Sequence, residues 1–425
     1  MALKIERFVC PGKGNGLRAT HDIRAGELLY KALPLASCVS RKHMARACHH
    51  CFIRAESLLR CSKCKTARYC NAQCQRQAWL VHKVECGRLK ALLPTIPPDS
   101  VRQAARILQT MQTPTSQNAP EELYSIEEHQ SHLEGMSEEK LDGLRHLSSA
   151  LQLYLQEGGE GHTHTHDLLS LLAKITCNCF TISDGELQEV GVGLYPSMSL
   201  LNHDCQPNCV MLFEGTTLHL RAVRDIKTHQ EVTISYAECV SPTAERRGQL
   251  EQQYHFTCQC RCCSNSHRDA EMLAGGVRGE KLKEALPDLE KLQAELKWSE
   301  LLSSGVGLLE QLGGGAVPDS NVYLLRLLDL LLDCCVSIGR YDTALAYGTR
   351  TLQPYSLYYP DPHPARGLQL MRVGKLQHLQ GRVEEAMHTF TQAYDVIKVT
   401  HGRDHSLTAE LQGRLAECQA ELNRD

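Results

Sequence analysis

The sequence predicts an α+β protein: a β-rich core interrupted by a zinc-binding finger and a helical insertion, followed by a second cysteine site and an all-α C-terminal domain. Three observations predict this organisation. Seven of the 21 cysteines lie within residues 48–86. Short apolar runs with turn residues lie on both sides of that block. Beyond about residue 270 the sequence has the periodicity of helices only. A chain of 425 residues has room for two or three domains.

Composition and charge exclude several classes of protein. The net charge is −3 and 42% of the residues are hydrophobic, which excludes a uniformly basic nucleic-acid coat and a disordered tail. The N-terminal residues are too polar for a signal peptide. Three charged residues interrupt the longest apolar stretch, 322–338, so we expect a buried helix there and no membrane span. Without a signal peptide, clustered cysteines more often bind metal than form disulfides, which indicates a reducing compartment.

Residues 1–44 are predicted to form the first part of the β-rich core. The loop Pro11–Gly16 is rich in glycine, which permits backbone conformations that other residues avoid. A turn at Asp22–Gly26 precedes a strand that starts within Glu27–Tyr30. This segment therefore has the pattern of short strands joined by tight turns.

The cysteine block at 48–86 has the ligand spacing of a double zinc finger. Ligands separated by two residues reach one ion from a tight turn, and ligands separated by three lie on one face of a helix. Eight ligands suffice for two closed tetrahedral sites, which are structural. We predict interleaved pairing, while the spacing alone also allows sequential pairing. The interleaved sets are Cys48, Cys51, Cys70 and Cys74, and Cys61, Cys64, His82 and Cys86.

The finger also carries a surplus of positive charge. A segment this short builds too small an apolar core to fold alone, so metal is expected to supply most of its folding energy. The surplus either compensates the ligand thiolates or forms a face for nucleic acid or an acidic partner. Its cationic residues are Arg54, Arg60, Lys63, Lys65, Arg68, Arg76 and Lys83.

Residues 87–176 are predicted to form a helical linker and an insertion. After a proline-rich hinge, Asp99 and Ser100 can cap a helix that runs to Met111. A polar break at 113–120 precedes more helix, which ends near residue 156. We interpret the following loop, 158–166, as solvated rather than metal-binding, although it contains His162, His164 and His166.

Residues 177–239 are predicted to complete the β-rich core. The runs 218–223 and 231–236 alternate between apolar and polar residues, as strands do. The segment Asn202–Cys209 follows an apolar run but is dense in polar side chains, which indicates a functional site.

A second metal pattern follows the core. Cys258, Cys260 and Cys263 supply three thiolates, and a closed zinc site needs a fourth ligand. Cys205 is the candidate, and its ligation would tie two distant segments together. Cys262 is a rival to Cys263, and the spacing does not decide between them.

The helical region contains an internal repeat. Residues 339–344 recur at 381–386, and His363 recurs as His405, both at an offset of 42 residues. Stacked helix-turn-helix repeats produce this kind of signal.

The order of these motifs resembles the SET and MYND domain family of protein-lysine methyltransferases. The loop 14–16 and the segments Asn202–Asn208 and Glu231–Tyr236 are similar to the cofactor loop and paired signatures of SET domains. The block at 48–86 resembles a MYND finger, and 258–263 resembles a post-SET zinc site. The resemblance covers essentially the whole chain. It implies SET segments at 1–44 and 177–239, a MYND finger at 48–86, a helical linker and insertion at 87–176, a post-SET segment at 240–269, and a tetratricopeptide-like helical domain at 270–425.

This resemblance implies S-adenosylmethionine as a cofactor, together with three Zn²⁺ ions. His132 stands where the family pattern would offer an asparagine, so we do not assign it a contact. The residues whose positions match cofactor contacts in the family are Lys13, Gly14, Asn15, Tyr124, Asn178, Asn202, His203, Tyr236 and Phe256.

The resemblance also implies a substrate channel. Tyr236 would lie where the channel meets the cofactor, and Phe180 and Tyr254 would form channel walls. An apolar channel and a nearby sulfonium both favour the neutral form of a lysine amine, whose ordinary pKa is about 10.4. We expect Tyr236 to be the catalytic residue that orients this amine. We do not expect it to act as a general base, because an ordinary tyrosine is rarely ionised near neutral pH.

The implied partners are protein substrates, namely histone tails of H3 and H4 and non-histone proteins, in a role linked to transcription. The finger would bind proline-rich peptides, or DNA. We expect a monomer in the cytoplasm and nucleus. The alternatives are a non-catalytic scaffold of finger and helical repeats, and a DNA-binding transcription co-regulator. The intact set Gly14, Gly16, Asn202, His203 and Tyr236 favours the enzyme.

Overall fold

The computed structural model describes residues 3–112, 123–156, 167–313 and 315–424. The predicted α+β organisation is confirmed: a β-rich core carries a cysteine-rich finger, a helical insertion and an all-helical C-terminal region. The predicted polar break at 113–120 and the loop 158–166 with His162, His164 and His166 lie outside the described residues.

The strands are short, and most belong to the core. In chain order they are β1 (Ile5–Cys10), β2 (Gly14–Ala19), β3 (Leu28–Ala32), β4 (Ala36–Val39), β5 (Leu59–Arg60), β6 (Arg68–Tyr69), β7 (Cys179–Ser183), β8 (Glu189–Leu194), β9 (Asn202–His203), β10 (Cys209–Glu214), β11 (Thr217–Ala222) and β12 (Glu231–Ile234).

Three small sheets make up the core. Their strand orders are β1-β2-β12-β9, β10-β11-β3 and β4-β8-β7, while β5 and β6 pair within the finger. Among the described strands, β9 and β12 form the one parallel pair, in which Asn202 lies opposite Thr233 and His203 opposite Ile234. This pairing places two predicted functional segments side by side. The apolar interior of the core includes Leu17, Ile23 and Leu218, each at most 1% exposed.

The helices supply the insertion and the C-terminal region. Among the described helices, none has both the length and the apolarity needed to cross a membrane. In chain order they are α1 (Ala72–Ala91), α2 (Asp99–Gln112), α3 (Glu138–Gln156), α4 (Leu168–Asn178), α5 (Thr243–Tyr254), α6 (Arg261–Ser264), α7 (Asp269–Met272), α8 (Val277–Ala294), α9 (Trp298–Leu312), α10 (Val322–Ser337), α11 (Tyr341–Tyr358), α12 (Pro364–Leu379), α13 (Val383–Thr400) and α14 (Ser406–Leu422).

The finger is joined to the core through α1 and α2. Asn71 caps α1, because its side-chain oxygen accepts a hydrogen bond from Cys74 N at 2.9 Å. Helix α2 begins at Asp99, one of the two predicted capping residues, and the carboxylate of Asp99 accepts a hydrogen bond from Arg41 N at 2.8 Å. The start of α2 is therefore linked to the end of the first core segment.

The repeat of the sequence is visible in the structure. Gly339 and Gly381 both have positive φ, +77° and +71°, and helices α11 and α13 begin two residues later. His363 and His405 cap α12 and α14, since their Nδ1 atoms accept from Ala365 N at 3.3 Å and Leu407 N at 3.2 Å. The offset of 42 residues thus repeats a turn, a cap and two helices.

The C-terminal helices pack against the core in two places. At one end, Tyr323 of α10 donates to Glu245 Oε1 of α5 at 2.7 Å. At the other end, His401 Nε2 lies 3.1 Å from Gly185 O, in the turn between β7 and β8. Gly402 follows with φ +100°, which favours glycine, and a Cβ there would lie 2.5 Å from the guanidinium of Arg221.

Candidate functional site

The structure brings the predicted metal ligands into three groups. Within each group, the sulfur and nitrogen ligand atoms all lie within 4.8 Å of one another. The two finger groups are the interleaved sets, which favours that pairing over the sequential one. Four thiolate or imidazole donors are the ligand set that structural zinc prefers, so each group can hold Zn²⁺. The groups are Cys48, Cys51, Cys70 and Cys74; Cys61, Cys64, His82 and Cys86; and Cys205, Cys258, Cys260 and Cys263.

The third group joins the core to the segment after α5. Cys205 Sγ lies 3.5 Å from Cys263 Sγ, 58 residues along the chain. Cys262 is not part of this group; its sulfur lies 3.7 Å from Arg246 Nη2. The geometry therefore favours Cys263 over Cys262, with Cys205 as the fourth ligand. In the second group, burial lowers the pKa of His82 to about 4, which keeps its imidazole in the neutral form that binds metal.

A cavity of about 1170 Å³ lies between the core and the segment after α5. All the predicted cofactor and channel residues line it, as do Cys258 and Cys260 of the third metal group. The structure thus places one metal group in the wall of the candidate site. The predicted residues in the lining are Lys13, Gly14, Asn15, Tyr124, Asn178, Phe180, Asn202, His203, Tyr236, Tyr254 and Phe256.

The loop between β1 and β2 forms one edge of the cavity. Gly14 has φ +80°, a conformation that glycine adopts without strain. Gly16 allows the loop to approach β9, because a Cβ there would lie 2.8 Å from Asn202 Nδ2. The two glycines therefore give the loop its shape and its closeness to Asn202.

Asn202 and His203 lie on β9, between the loop and the third metal group. Asn202 Nδ2 donates to Glu231 Oε1 at 2.9 Å and to Asn15 O at 3.3 Å. His203 Nδ1 accepts from Tyr236 N at 2.9 Å, and its Nε2 lies 3.2 Å from Cys205 Sγ. Burial lowers the pKa of His203 to about 4, so its ring is neutral near pH 7.

Tyr236 lines the cavity between two other aromatic rings of the lining. Its hydroxyl donates to Leu201 O. Its ring centroid is 4.7 Å from that of Tyr254, a predicted channel residue, and 5.4 Å from that of His203, a predicted cofactor residue. Burial raises the pKa of Tyr236 above its ordinary value, with further contributions from Tyr254 and Glu231. The phenol is therefore protonated near neutral pH, as the sequence analysis expects.

Tyr124 and Asn178 line the far side of the cavity. The Tyr124 hydroxyl donates to Glu128 O at 2.6 Å, and the Arg7 guanidinium lies 4.9 Å from the centre of its ring. Asn178 Nδ2 donates to Lys174 O at 2.9 Å, within the last turn of α4. These contacts fix both side chains and do not involve the side-chain amide oxygen of Asn178.

The sequence motifs do not indicate several residues that line this cavity. His132 and His255 stack with ring centroids 4.9 Å apart, and both line it. Met211 and Phe213 also line it, at alternate positions of β10. The alternation of residues 209–214 is a signal that could have identified these two. The histidine pair joins positions 123 residues apart and leaves no local signal.

Comparisons with known proteins agree with this geometry. The SET domain family model matches residues 14–237. The chain is 42% identical to Histone-lysine N-methyltransferase SMYD3 of Mus musculus over 425 residues, covering 99% of each chain. It is also 42% identical to SMYD3 of Homo sapiens over 424 residues, again covering 99% of each. N-lysine methyltransferase SMYD2 of Homo sapiens is 30% identical over 420 residues, covering 96% of this chain and 97% of that one.

The family match and the relatives cover both the core and the regions around it. The segments 189–196 and 401–406 indicate the third member within this family, and the identity to SMYD3, at 42%, is higher than that to SMYD2, at 30%. The resemblance that the motifs indicate is therefore confirmed over nearly the full length. The chain belongs to the SET domain family and, within it, to the SET and MYND methyltransferases.

Proposed function

We propose that this protein transfers a methyl group from S-adenosylmethionine to lysine side chains of histones H3 and H4 and of non-histone proteins, in a role linked to transcription. The observation that carries the proposal is the position of Tyr236, whose ring contacts both the channel residue Tyr254 and the cofactor-side residue His203. The names of the relatives, which include histone-lysine and N-lysine methyltransferases, support the choice of substrate.

The cavity residues fit the proposed methyl donor. Lys13 offers a cation and Asn202 an amide at one end of the cavity, which suits the carboxylate and ammonium of an amino acid. Phe256 and Tyr124 offer aromatic faces, which suit an adenine ring. When bound, the donor supplies an electrophilic methyl group on a sulfonium.

The protein's own residues then exclude water, orient the substrate amine and hold the two reactants in line. Phe180, Tyr236 and Tyr254 form apolar walls, which exclude water and favour the neutral amine of the substrate lysine. The Tyr236 hydroxyl stays protonated and orients that amine. Holding two reactants in line supplies most of the rate enhancement in such a displacement.

Transfer of tritium from labelled S-adenosylmethionine to a histone mixture and to cell lysate tests the proposal. The zinc-loaded protein should label lysines, and Tyr236→Phe should label them far less. Tyr394→Phe, on α13 and remote from the cavity, is the matched control and should retain full activity. Equal labelling by wild type and Tyr236→Phe at background level would leave the non-catalytic scaffold as the function.

We also propose that the finger binds proline-rich peptides or DNA. Lys63, Lys65 and Arg76 are exposed on its surface, as are Trp79 and Leu80 of α1, which supports a docking role. DNA binding should weaken steeply with salt and after charge reversal at the two lysines. If neither higher salt nor charge reversal weakens DNA binding, and the finger binds a proline-rich peptide, then its ligand is a protein.

We further propose that the protein acts as a monomer in the cytoplasm and nucleus. Light scattering of the purified chain tests the first statement, and a mass of two chains would contradict it. Fractionation of cells tests the second statement, and absence of the protein from the cytoplasm or from the nucleus would contradict that statement.

A further inference from the structure

Glu231 is the first residue of the motif that ends at Tyr236, and the proposed function gives it no task. It begins β12 and lies opposite Arg18 of β2. Its side chain is 22% exposed, which is low for a carboxylate at the start of a strand. Such a residue needs partners that compensate its charge.

The carboxylate of Glu231 contacts three residues around the cavity loop. Its Oε2 lies 2.8 Å from Lys13 Nζ. Its Oε1 accepts from Asn202 Nδ2 at 2.9 Å and lies 3.5 Å from Cys10 Sγ. One carboxylate therefore connects both ends of the loop between β1 and β2 to β9.

These contacts determine which way the Asn202 amide points. Its Nδ2 faces two acceptors, Glu231 Oε1 and Asn15 O. A flipped amide would place Oδ1 against both of these oxygens, which is unfavourable because neither oxygen can donate. Both hydrogens of Nδ2 are thus used, and Oδ1 remains available to accept a hydrogen bond.

We propose that Glu231 is a positioning residue for the methyl donor. It holds the Asn202 amide so that Oδ1 can accept from the donor's ammonium, and it holds the Lys13 ammonium at the edge of the cavity for the donor's carboxylate. This inference rests on the proposed function, because it assigns these groups to a donor of that chemistry. Glu231 itself touches no reacting atom.

The inference predicts a graded loss of donor affinity. In Glu231→Gln, an oxygen can still accept from Asn202, but the ion pair with Lys13 is lost. In Glu231→Ala, both contacts are lost. A charge-assisted hydrogen bond is stronger than a neutral one, so we expect donor affinity to fall about tenfold for Gln and further for Ala. In Lys13→Met, the same Gln change should cost much less, because its partner is already absent.

Calorimetric titration of the zinc-loaded full chain with S-adenosylhomocysteine, together with steady-state kinetics, tests the inference. We expect the KM for the donor to rise about tenfold in Glu231→Gln while kcat changes less than about twofold. Without any donor, amide hydrogen exchange in residues 11–16 should quicken. The matched control is Glu6→Gln, which removes the 2.7 Å ion pair to Arg18 on the same sheet, and it should leave both readouts unchanged.

Three outcomes would overturn the inference. Affinities of both Glu231 variants within twofold of wild type would remove the positioning role. A lower melting temperature of the Glu231 variants with unchanged donor affinity would reduce Glu231 to a structural residue. A wild-type protein that binds neither S-adenosylhomocysteine nor S-adenosylmethionine would contradict the proposed function as well, and so would overturn both.

Discussion

Tyr236 shows how one residue combines structure and chemistry in this site. Its backbone N–H donates to His203 Nδ1 at 2.9 Å, and its hydroxyl donates to Leu201 O. The residue is thus held both at its backbone and at its hydroxyl. Because burial raises its pKa above the ordinary value, it acts as a neutral donor and acceptor and not as a phenolate.

Replacement of Tyr236 by Phe should therefore lower kcat by about 100-fold, the usual loss when one preorganised group is removed from a reacting centre. The donor KM should change little, because the ring remains. Steady-state kinetics between pH 7 and 10 check this. The rate should rise with pH in both proteins as the substrate amine loses its proton. A rise that only wild type shows would mean that Tyr236 is a base.

Among single residues, the resemblance to the family indicates eleven that line the cavity. It does not indicate Glu231 as their connector, since Lys13 lies 218 residues from it. It also does not indicate the stacked His132 and His255. These contacts arise from folding across long chain separations, which no local pattern records. What the cavity residues bind stays a prediction.

A buried ion cluster connects the finger to the core at the scale of elements. Glu85 of α1 accepts from Arg102 Nε at 2.8 Å and from Arg106 Nε at 3.0 Å. The two arginines also donate to Val39 O and Ser37 O in β4, at 2.8 and 2.6 Å. Glu85 is 5% exposed and Arg102 is fully buried. One carboxylate thus holds α1, α2 and β4 together.

Replacement of Glu85 by Gln should lower the free energy of unfolding by about 3–5 kcal/mol, because it leaves two buried guanidinium groups without their counter-ion. Urea unfolding of the zinc-loaded proteins measures this. Glu56→Gln, at an exposed carboxylate in the same finger, is the control and should change the value by less than about 0.5 kcal/mol. Equal stability of both variants would show that the cluster contributes nothing.

A second buried carboxylate, Asp329 of α10, should make the stability of the helical region depend on pH. Burial raises its pKa to about 7, although Tyr355 and Gln369 donate hydrogen bonds to it at 3.0 and 2.9 Å. The folded protein therefore prefers the protonated form. Wild-type stability should fall as the pH rises from about 4 to about 7 and then level off, since the unfolded chain releases this proton near the ordinary pKa while the folded chain holds it up to about 7.

Asp329→Asn cannot ionise, so it should be more stable than wild type at pH 8.5, and this gain should shrink as the pH falls to 6. Thermal or urea unfolding at each pH checks the trend. Asp288→Asn, at an exposed position of α8, should show no such trend. A gain that is equal at both pH values would mean that folded Asp329 is already ionised at pH 6 and that its pKa is not raised to about 7.

The helical repeat shows what sequence patterns detect among elements. They indicate two copies, because Gly339 and Gly381, and His363 and His405, match in type. The structure contains a third copy. Asn321, 42 residues before His363, caps α10 with 2.9 and 3.0 Å bonds from Tyr323 N and Leu324 N. Leu296 precedes α9 with φ +57°, where the other copies have glycine. The sequence comparison does not detect this copy, because different residues adopt the same geometry in it.

At the scale of the whole molecule, segments that are distant in sequence meet at the metal groups. The third group joins Cys205 to residues 258–263 and lies in the wall of the cavity. The sequence predicts this group and the α+β organisation correctly. It does not predict the contact of His401 with Gly185, since nothing local marks the meeting of two surfaces. The domain limits at 44, 86, 176, 239 and 269 stay predictions.

Cys205→Ser should disrupt metal binding and the cavity together. The variant loses one thiolate of the third group, two of whose members, Cys258 and Cys260, line the cavity, so one zinc ion and most donor affinity should be lost. Zinc analysis and calorimetry check this. Cys418→Ser, at a buried cysteine outside the three groups, is the control and should retain the metal. Full zinc and full donor affinity in Cys205→Ser would refute the ligand assignment.

Titration of the metal-complete protein with S-adenosylmethionine, paired with zinc analysis of the same sample, is the most direct measurement of the central claim. We expect three zinc ions and one donor molecule per chain, with donor binding lost when a chelator removes the ions. A sample that contains all three ions, is fully folded and binds no donor would contradict this expectation.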